Sequence, residues 1–253
     1  DDASESITSM KGEKGHLSEP VMQQILSAYS PHEREMRRYG RPSIGSGLIF
    51  PVSEEDLMID PISIEEHWPR IAAIDFGWDH PTAVVWCAVD NETDTFYVYD
   101  CYRASKASPA VHAEMIKQRP RFIPIVYPHD GNRRDSMGNP GLADQYRSLG
   151  CNFLLEHFTN PPALGQTKGS NSIEEGLMAM IQYMEDGRFK VFNTLGDWFE
   201  EFRMYHRKQG KVVAIRDDLM SATRYAFQSQ RHAISGSDPE WTNEITYRNY
   251  GIV

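Results

Sequence analysis

Four aspartates stand where chemistry could be done. Asp75 follows the apolar run Ile71 to Ile74 and precedes Phe76-Gly77, so it falls at or near the end of a buried strand. Asp130 repeats the arrangement: Phe122 to Tyr127 reads as a strand, and Pro128-His129-Asp130-Gly131 ends it. Asp217 and Asp218 open a helix at a strand-to-helix junction that continues Leu219-Met220-Ser221-Ala222. Singly, each has a plain explanation, since Asp is an ordinary turn residue and acids are favoured at helix N-termini. Together they are three carboxylate-bearing elements with no basic partner. Converging carboxylates repel one another and are stable chiefly around a divalent cation. Two such ions about 3.5 to 4 Å apart can activate a water and stabilise the leaving oxygen of a phosphodiester.

Asp217 and Asp218 do not share one role, because adjacent helical residues point about 100° apart. Asp218 is the favoured ligand: Ser221 and Ala222 lie on its face and leave room for a site. His80 and His129 adjoin the acids and could bond to them, but turn histidines more commonly bond to backbone.

The elements that must position these acids begin at Ile71. The pattern predicts strands at Ile71–Ile74, Thr82–Val89 and Thr95–Tyr102, an antiparallel meander. Strands Phe122–Val126, Phe153–Leu155, Phe189–Phe192 and Val212–Ile215 then alternate with helices over about 108–118, 141–149, 172–185, 196–206 and 218–230. This gives an α/β fold: a mixed sheet, with an antiparallel three-strand meander and parallel strands, flanked by helices on both faces. Before residue 71, two helices (about 18–29 and 31–39) precede an irregular stretch. The Met- and aromatic-rich helices, with Met178, Met180, Met184, Trp198, Phe199 and Phe202, read as core.

Composition bounds the reading. The 253 residues carry 26 basic and 36 acidic side chains, a net charge of −10, which speaks against tight nucleic-acid binding by this chain's own surface. Cys87, Cys101 and Cys151 form no CxxC pair and should be reduced and mostly buried. No histidine spacing suits zinc, so any metal is held by carboxylates, which favour hard ions. No signal sequence and no run of about 18 apolar residues is present, so no membrane partner is expected.

Three motifs carry a resemblance: Ala73-Ile74-Asp75-Phe76-Gly77-Trp78-Asp79-His80-Pro81-Thr82-Ala83, then Tyr127-Pro128-His129-Asp130-Gly131, then Asp217-Asp218-Leu219-Met220-Ser221-Ala222-Thr223-Arg224-Tyr225-Ala226. Together they resemble the nuclease domain of tailed-bacteriophage large terminase subunits, a family with an RNase H-like fold similar to resolvases and integrases. Arg188 to Phe192 and Glu200 to His206 resemble the family's stretch before its last acid. The resemblance covers about 71 to 230 and implies a metal-dependent endonuclease that cleaves double-stranded phage DNA during genome packaging. It places the catalytic and metal-binding acids at Asp75, Asp130 and the Asp217/Asp218 pair, with two Mg²⁺ or Mn²⁺ ions.

Where related members carry a further acid one turn into the last helix, this chain has Ser221. The implied organisation is a linker over 1–70 following an ATPase motor absent here, a nuclease domain over 71–232 and a tail over 233–253. No GxxxxGK[ST] loop occurs. The implied partners are DNA, the motor of the same full-length chain, a small terminase subunit and a portal protein, in the cytoplasm of a bacterial host.

Two other readings stay open. Ile74-Asp75-Phe76-Gly77 before a hairpin also resembles the first phosphate motif of actin-like and sugar-kinase ATP-binding proteins. The acidic charge also suits a non-catalytic docking module for a portal or motor, with the acids only capping turns.

Overall fold

A computed structural model describes residues 47–133, 140–162, 165, 167–208 and 210–236. The two helices expected before residue 40 lie outside the described residues. The stretch before residue 71, expected to be irregular, contributes a short helix α1 (Glu54–Leu57) and a short strand β1 (Met58–Ile59). Ser53 caps α1, its side chain accepting from the Glu55 amide at 3.2 Å.

The meander forms as the sequence predicts: β2 (Arg70–Asp75), β3 (Thr82–Asp90) and β4 (Thr95–Ala104) pair antiparallel. Beyond it come α2 (Pro109–Lys117), β5 (Ile125–Val126), α3 (Leu142–Ser148), α4 (Ile173–Glu185), β6 (Phe189–Phe192) and α5 (Gly196–Met204). The chain continues through β7 (Arg207–Lys208), β8 (Lys211–Val212) and α6 (Asp218–Gln228). The main sheet has the order β1-β6-β4-β3-β2-β5, with β5 parallel to β2, and β6 parallel to both β4 and β1.

Every residue of β3 is buried, because helices cover both faces of the sheet. Side chains alternate between the two layers, as strand geometry requires. Ile71, Ala73, Val85 and Cys87 face a layer with Leu177, Trp198, Leu219 and Ala222, from α4, α5 and α6. Met180 and Met184 lie in this core as expected, but Met178 does not: it falls on the outer face of α4 and is exposed. Ala72, Ile74, Val84 and Trp86 face Ala113, Ile116, Ala143 and Tyr146, from α2 and α3. The three cysteines are free thiols, and Cys87 and Cys151 are buried.

Three expected strands come out shorter. Only Ile125–Val126 of the run from Phe122 is ladder-paired: Pro124 lacks an amide hydrogen, though its carbonyl accepts from the Ala72 amide at 2.9 Å. Phe153 makes a single parallel bridge to Ile125. The strand expected at Val212–Ile215 is a separate two-stranded hairpin, β7-β8, in which Gly210 turns the chain at φ 76°. Residues 213–217 then run irregularly into α6.

Candidate metal centre

β2 and β5 run parallel, so their C-terminal ends open on the same edge of the sheet. Asp75 is the last residue of β2. Asp130 lies just past β5 in a 3₁₀ turn over His129–Asn132, where Gly131 fits against Tyr127 and Phe76 with no room for a side chain. α6 crosses β2 and β3. Its first residue, Asp218, is buried, and its N-cap, Asp217, is partly buried.

The loop from β2 to β3 closes tightly. Thr82 Oγ1 accepts from the Gly77 amide at 3.1 Å and donates to the Gly77 carbonyl at 2.9 Å. His80 turns toward α6, and its Nδ1 lies 2.8 Å from Asp218 Oδ1. This side-chain contact departs from the backbone bonding expected of a turn histidine. His129 is exposed and stands edge-on to His157, with ring centroids 6.4 Å apart.

Electrostatics report the convergence. Burial and then the charges of Asp218, Asp217 and Asp130 push the Asp75 carboxyl up to about 8, with His80 acting in the opposite direction. Burial and Asp218 likewise push Asp217 up to about 6. Burial pulls the His80 imidazole down, but the hydrogen bond to Asp218 and the charges of Asp218 and Asp75 outweigh it and raise the ring above its ordinary value. Among the described residues, neither Asp75, Asp130 nor Asp217 forms an ion pair with lysine or arginine; Asp218 pairs only with His80.

The acids are coupled but not gathered. Among the described residues no group of three or more His, Cys, Asp or Glu is close enough to hold an ion. The two observations concern different ranges: charges couple over about 10 Å, whereas hard-ion ligation needs oxygens at about 2.0 to 2.6 Å. The oxygen-only chemistry of the carboxylates suits a divalent cation.

The Asp217 side chain makes no capping hydrogen bond, while its backbone carbonyl accepts from the Ser221 amide at 2.7 Å.

The sequence pattern of the terminase RNase H-like domain family matches residues 72–230. The chain belongs to this family. Large terminase subunits of Salmonella phage P22 and Enterobacteria phage LP7 are each 38% identical, over 219 and 213 residues, or 86% and 84% of this chain. The chain spans less than half the length of these relatives, 43% and 44%. The P22 large terminase nuclease domain superposes with a TM-score of 0.68 at 37% identity, covering 76% of this chain and 96% of that one. A large terminase from a thermophilic bacteriophage shares the fold at 12% identity, with a TM-score of 0.56, covering 85% of this chain and 53% of that one. The sheet order and two helical layers of this terminase-family domain are thus those of an RNase H-like nuclease domain. Among its described residues no helix is long and apolar enough to cross a membrane.

Sequence reasoning passed over Glu201 of this terminase-family domain. Its carboxylate is buried beside the start of α6, accepts from the Leu219 amide at 2.6 Å, and is pushed by burial up to about 7. The signal was an acid three residues after Trp198 on the apolar face of a helix.

Proposed function

We propose that this chain is a divalent-metal-dependent endonuclease that cuts double-stranded phage DNA during genome packaging, with little sequence preference. One observation carries the reading most: Asp75 at the end of β2, Asp130 just past the parallel β5 and Asp217-Asp218 at the start of α6 come from three elements and bear on one another, so that burial and the three other aspartates push the Asp75 carboxyl up to about 8. Acids kept only for capping have no need to bear on one another's proton affinity, whereas the oxygen ligands of a divalent cation do.

Asp75, Asp130 and Asp218 would hold the two divalent ions, with Asp217 the reserve donor beside Asp218. Bound Mg²⁺ or Mn²⁺ would supply a water activated for in-line attack and charge for the leaving oxygen. The chain's own residues do the rest. The sheet edge fixes Asp75 and Asp130, α6 fixes Asp217 and Asp218, and His80 holds Asp218 Oδ1 in place.

Little sequence preference follows because no helix or arm among the described residues suits base readout. The negative charge suits a domain whose DNA is held elsewhere: by an ATPase motor in the same full-length chain, a small terminase subunit and a portal, in the host cytoplasm.

Calorimetric titration with Mn²⁺ tests the site. Binding that is abolished in Asp75→Ala and weakened in Asp130→Ala and Asp218→Ala supports the reading. Absence of Mn²⁺ and Mg²⁺ binding by the wild type overturns it and leaves a docking module with capped turns.

A further inference from the structure

Arg103, near the end of β4, reaches three acids of α5. Its Nη1 donates to Glu201 Oε1 at 3.0 Å, and its Nη2 to Asp197 Oδ1 at 2.9 Å and Glu200 Oε2 at 2.5 Å. The acids pass this grip onward. Glu201 Oε2 accepts from the Leu219 amide at 2.6 Å, and Glu200 Oε1 accepts from Arg216 Nη1 at 3.2 Å. Arg216 and Leu219 are the residues on either side of Asp217-Asp218.

Two further facts give this arrangement a purpose. Arg216 sits at φ 53°, a left-handed conformation that non-glycine residues seldom adopt, so the entry to α6 is a kink that its neighbours must hold. In the sheet register, Arg103 stands opposite Ala83 and Ala83 stands opposite Asp75. Arg103 and Asp75 therefore share one rung, two strand spacings or roughly 10 Å apart.

Stability alone does not account for Glu201. Its side chain is fully buried on a face shared with Trp198 and Phe202, where an apolar residue would avoid the cost of desolvating a carboxylate. The acid is accounted for by what it holds.

We infer that Arg103, Glu200 and Glu201 form a clamp of positioning residues that sets Asp217 and Asp218 relative to Asp75. The functional consequence rests on the nuclease reading above. The clamp makes no contact with DNA; it fixes the distance across which the acids must share ions. Outer-shell partners of this kind are typically worth about 10- to 100-fold in metal affinity or activity.

The test compares wild type with Glu201→Ala, Glu201→Gln and Arg103→Lys, reading kcat and KM for plasmid cleavage in Mn²⁺, Mn²⁺ affinity, and amide exchange at Leu219. Glu201→Ala is expected to lower kcat and Mn²⁺ affinity by about 10-fold or more, with KM for DNA within about twofold. Glu201→Gln keeps an acceptor for the Leu219 amide and should recover most of both losses.

Equal losses in Gln and Ala, or a folded Ala variant with wild-type kcat and Mn²⁺ affinity, overturn the clamp. If Glu201→Ala fails to fold, Arg103→Lys decides: it keeps a cation without the fork, so lowered kcat at constant KM supports the clamp and unchanged kcat overturns it. A wild type that neither cuts nor binds Mn²⁺ contradicts the nuclease reading. Exchange at Leu219 still reads the clamp in that case: faster in Glu201→Ala if the anchor exists, unchanged if it does not.

Discussion

His80 Nδ1 lies 2.8 Å from Asp218 Oδ1, a hydrogen bond that joins the β2–β3 loop to the first residue of α6 across 138 positions of sequence. It brings a proton donor to the acids that would otherwise face one another alone. Asp75, pushed up to about 8, holds a proton that an incoming cation must displace. Apparent Mn²⁺ affinity should therefore climb as pH rises from about 6 to about 8, by at most about tenfold per pH unit for each proton released, and level off above that. Calorimetry in buffers of different ionisation enthalpy counts those protons; an affinity flat across this range would contradict the coupling.

The same groups set a pH dependence of stability in the metal-free chain. Asp75 at about 8, Glu201 at about 7 and Asp217 at about 6 all lie above ordinary carboxylate values, chiefly through burial. The folded chain keeps these protons at pH values where the unfolded chain has lost them. Their contribution is thus most favourable below about pH 4 and is lost as pH rises through about 6 to 8. Asp75→Asn should stabilise the EDTA-treated protein by about 1 to 3 kcal/mol at pH 8 and by little at pH 4. Urea unfolding at the two pH values measures the difference; equal effects at both would contradict it.

Gly77 is fixed by crowding. A Cβ there would lie 2.4 Å from the His80 carbonyl, 2.5 Å from His80 Nδ1 and 2.5 Å from the Pro81 carbonyl. Gly77→Ala should cost about 1 to 3 kcal/mol and displace His80 from Asp218. Thermal unfolding reads the first effect. The NMR shift of the His80 ring reads the second, and an unmoved ring would count against it.

Away from the acids, Arg119 Nε donates to Asp100 Oδ2 at 2.8 Å, with its guanidinium 4.4 Å from the centre of the Trp86 ring. Both partners are nearly fully buried. Asp100→Ala leaves that guanidinium charged and unpaired in the core and should cost about 3 to 5 kcal/mol. Chemical denaturation measures it, and a loss under about 1 kcal/mol would mean that water reaches the pair.

Much of the frame was legible in the sequence because its signals are local. Apolar and β-branched or aromatic runs with turn residues between them mark β2, β3 and β4, and Asp75 and Asp130 are readable as strand-end acids for the same reason. What was not legible depends on partners far along the chain. β1 is two residues long and exists through its pairing with β6, which no local pattern announces. Val212 to Ile215 looks like a strand by composition, yet the turn at Gly210 returns β8 onto β7 instead. The bond from His80 to Asp218 and the grip of Arg103 on α5 join residues about a hundred positions apart.

The most direct test of the central claim is conversion of supercoiled plasmid to nicked and linear forms by the purified chain in Mg²⁺, Mn²⁺ or EDTA, alongside Asp75→Ala, Asp130→Ala and Asp218→Ala. The account predicts cutting that requires a divalent cation, shows no fixed cleavage position and is lost in all three variants. Cutting that persists in EDTA or in Asp75→Ala, or no cutting by the wild type with either ion, would contradict it.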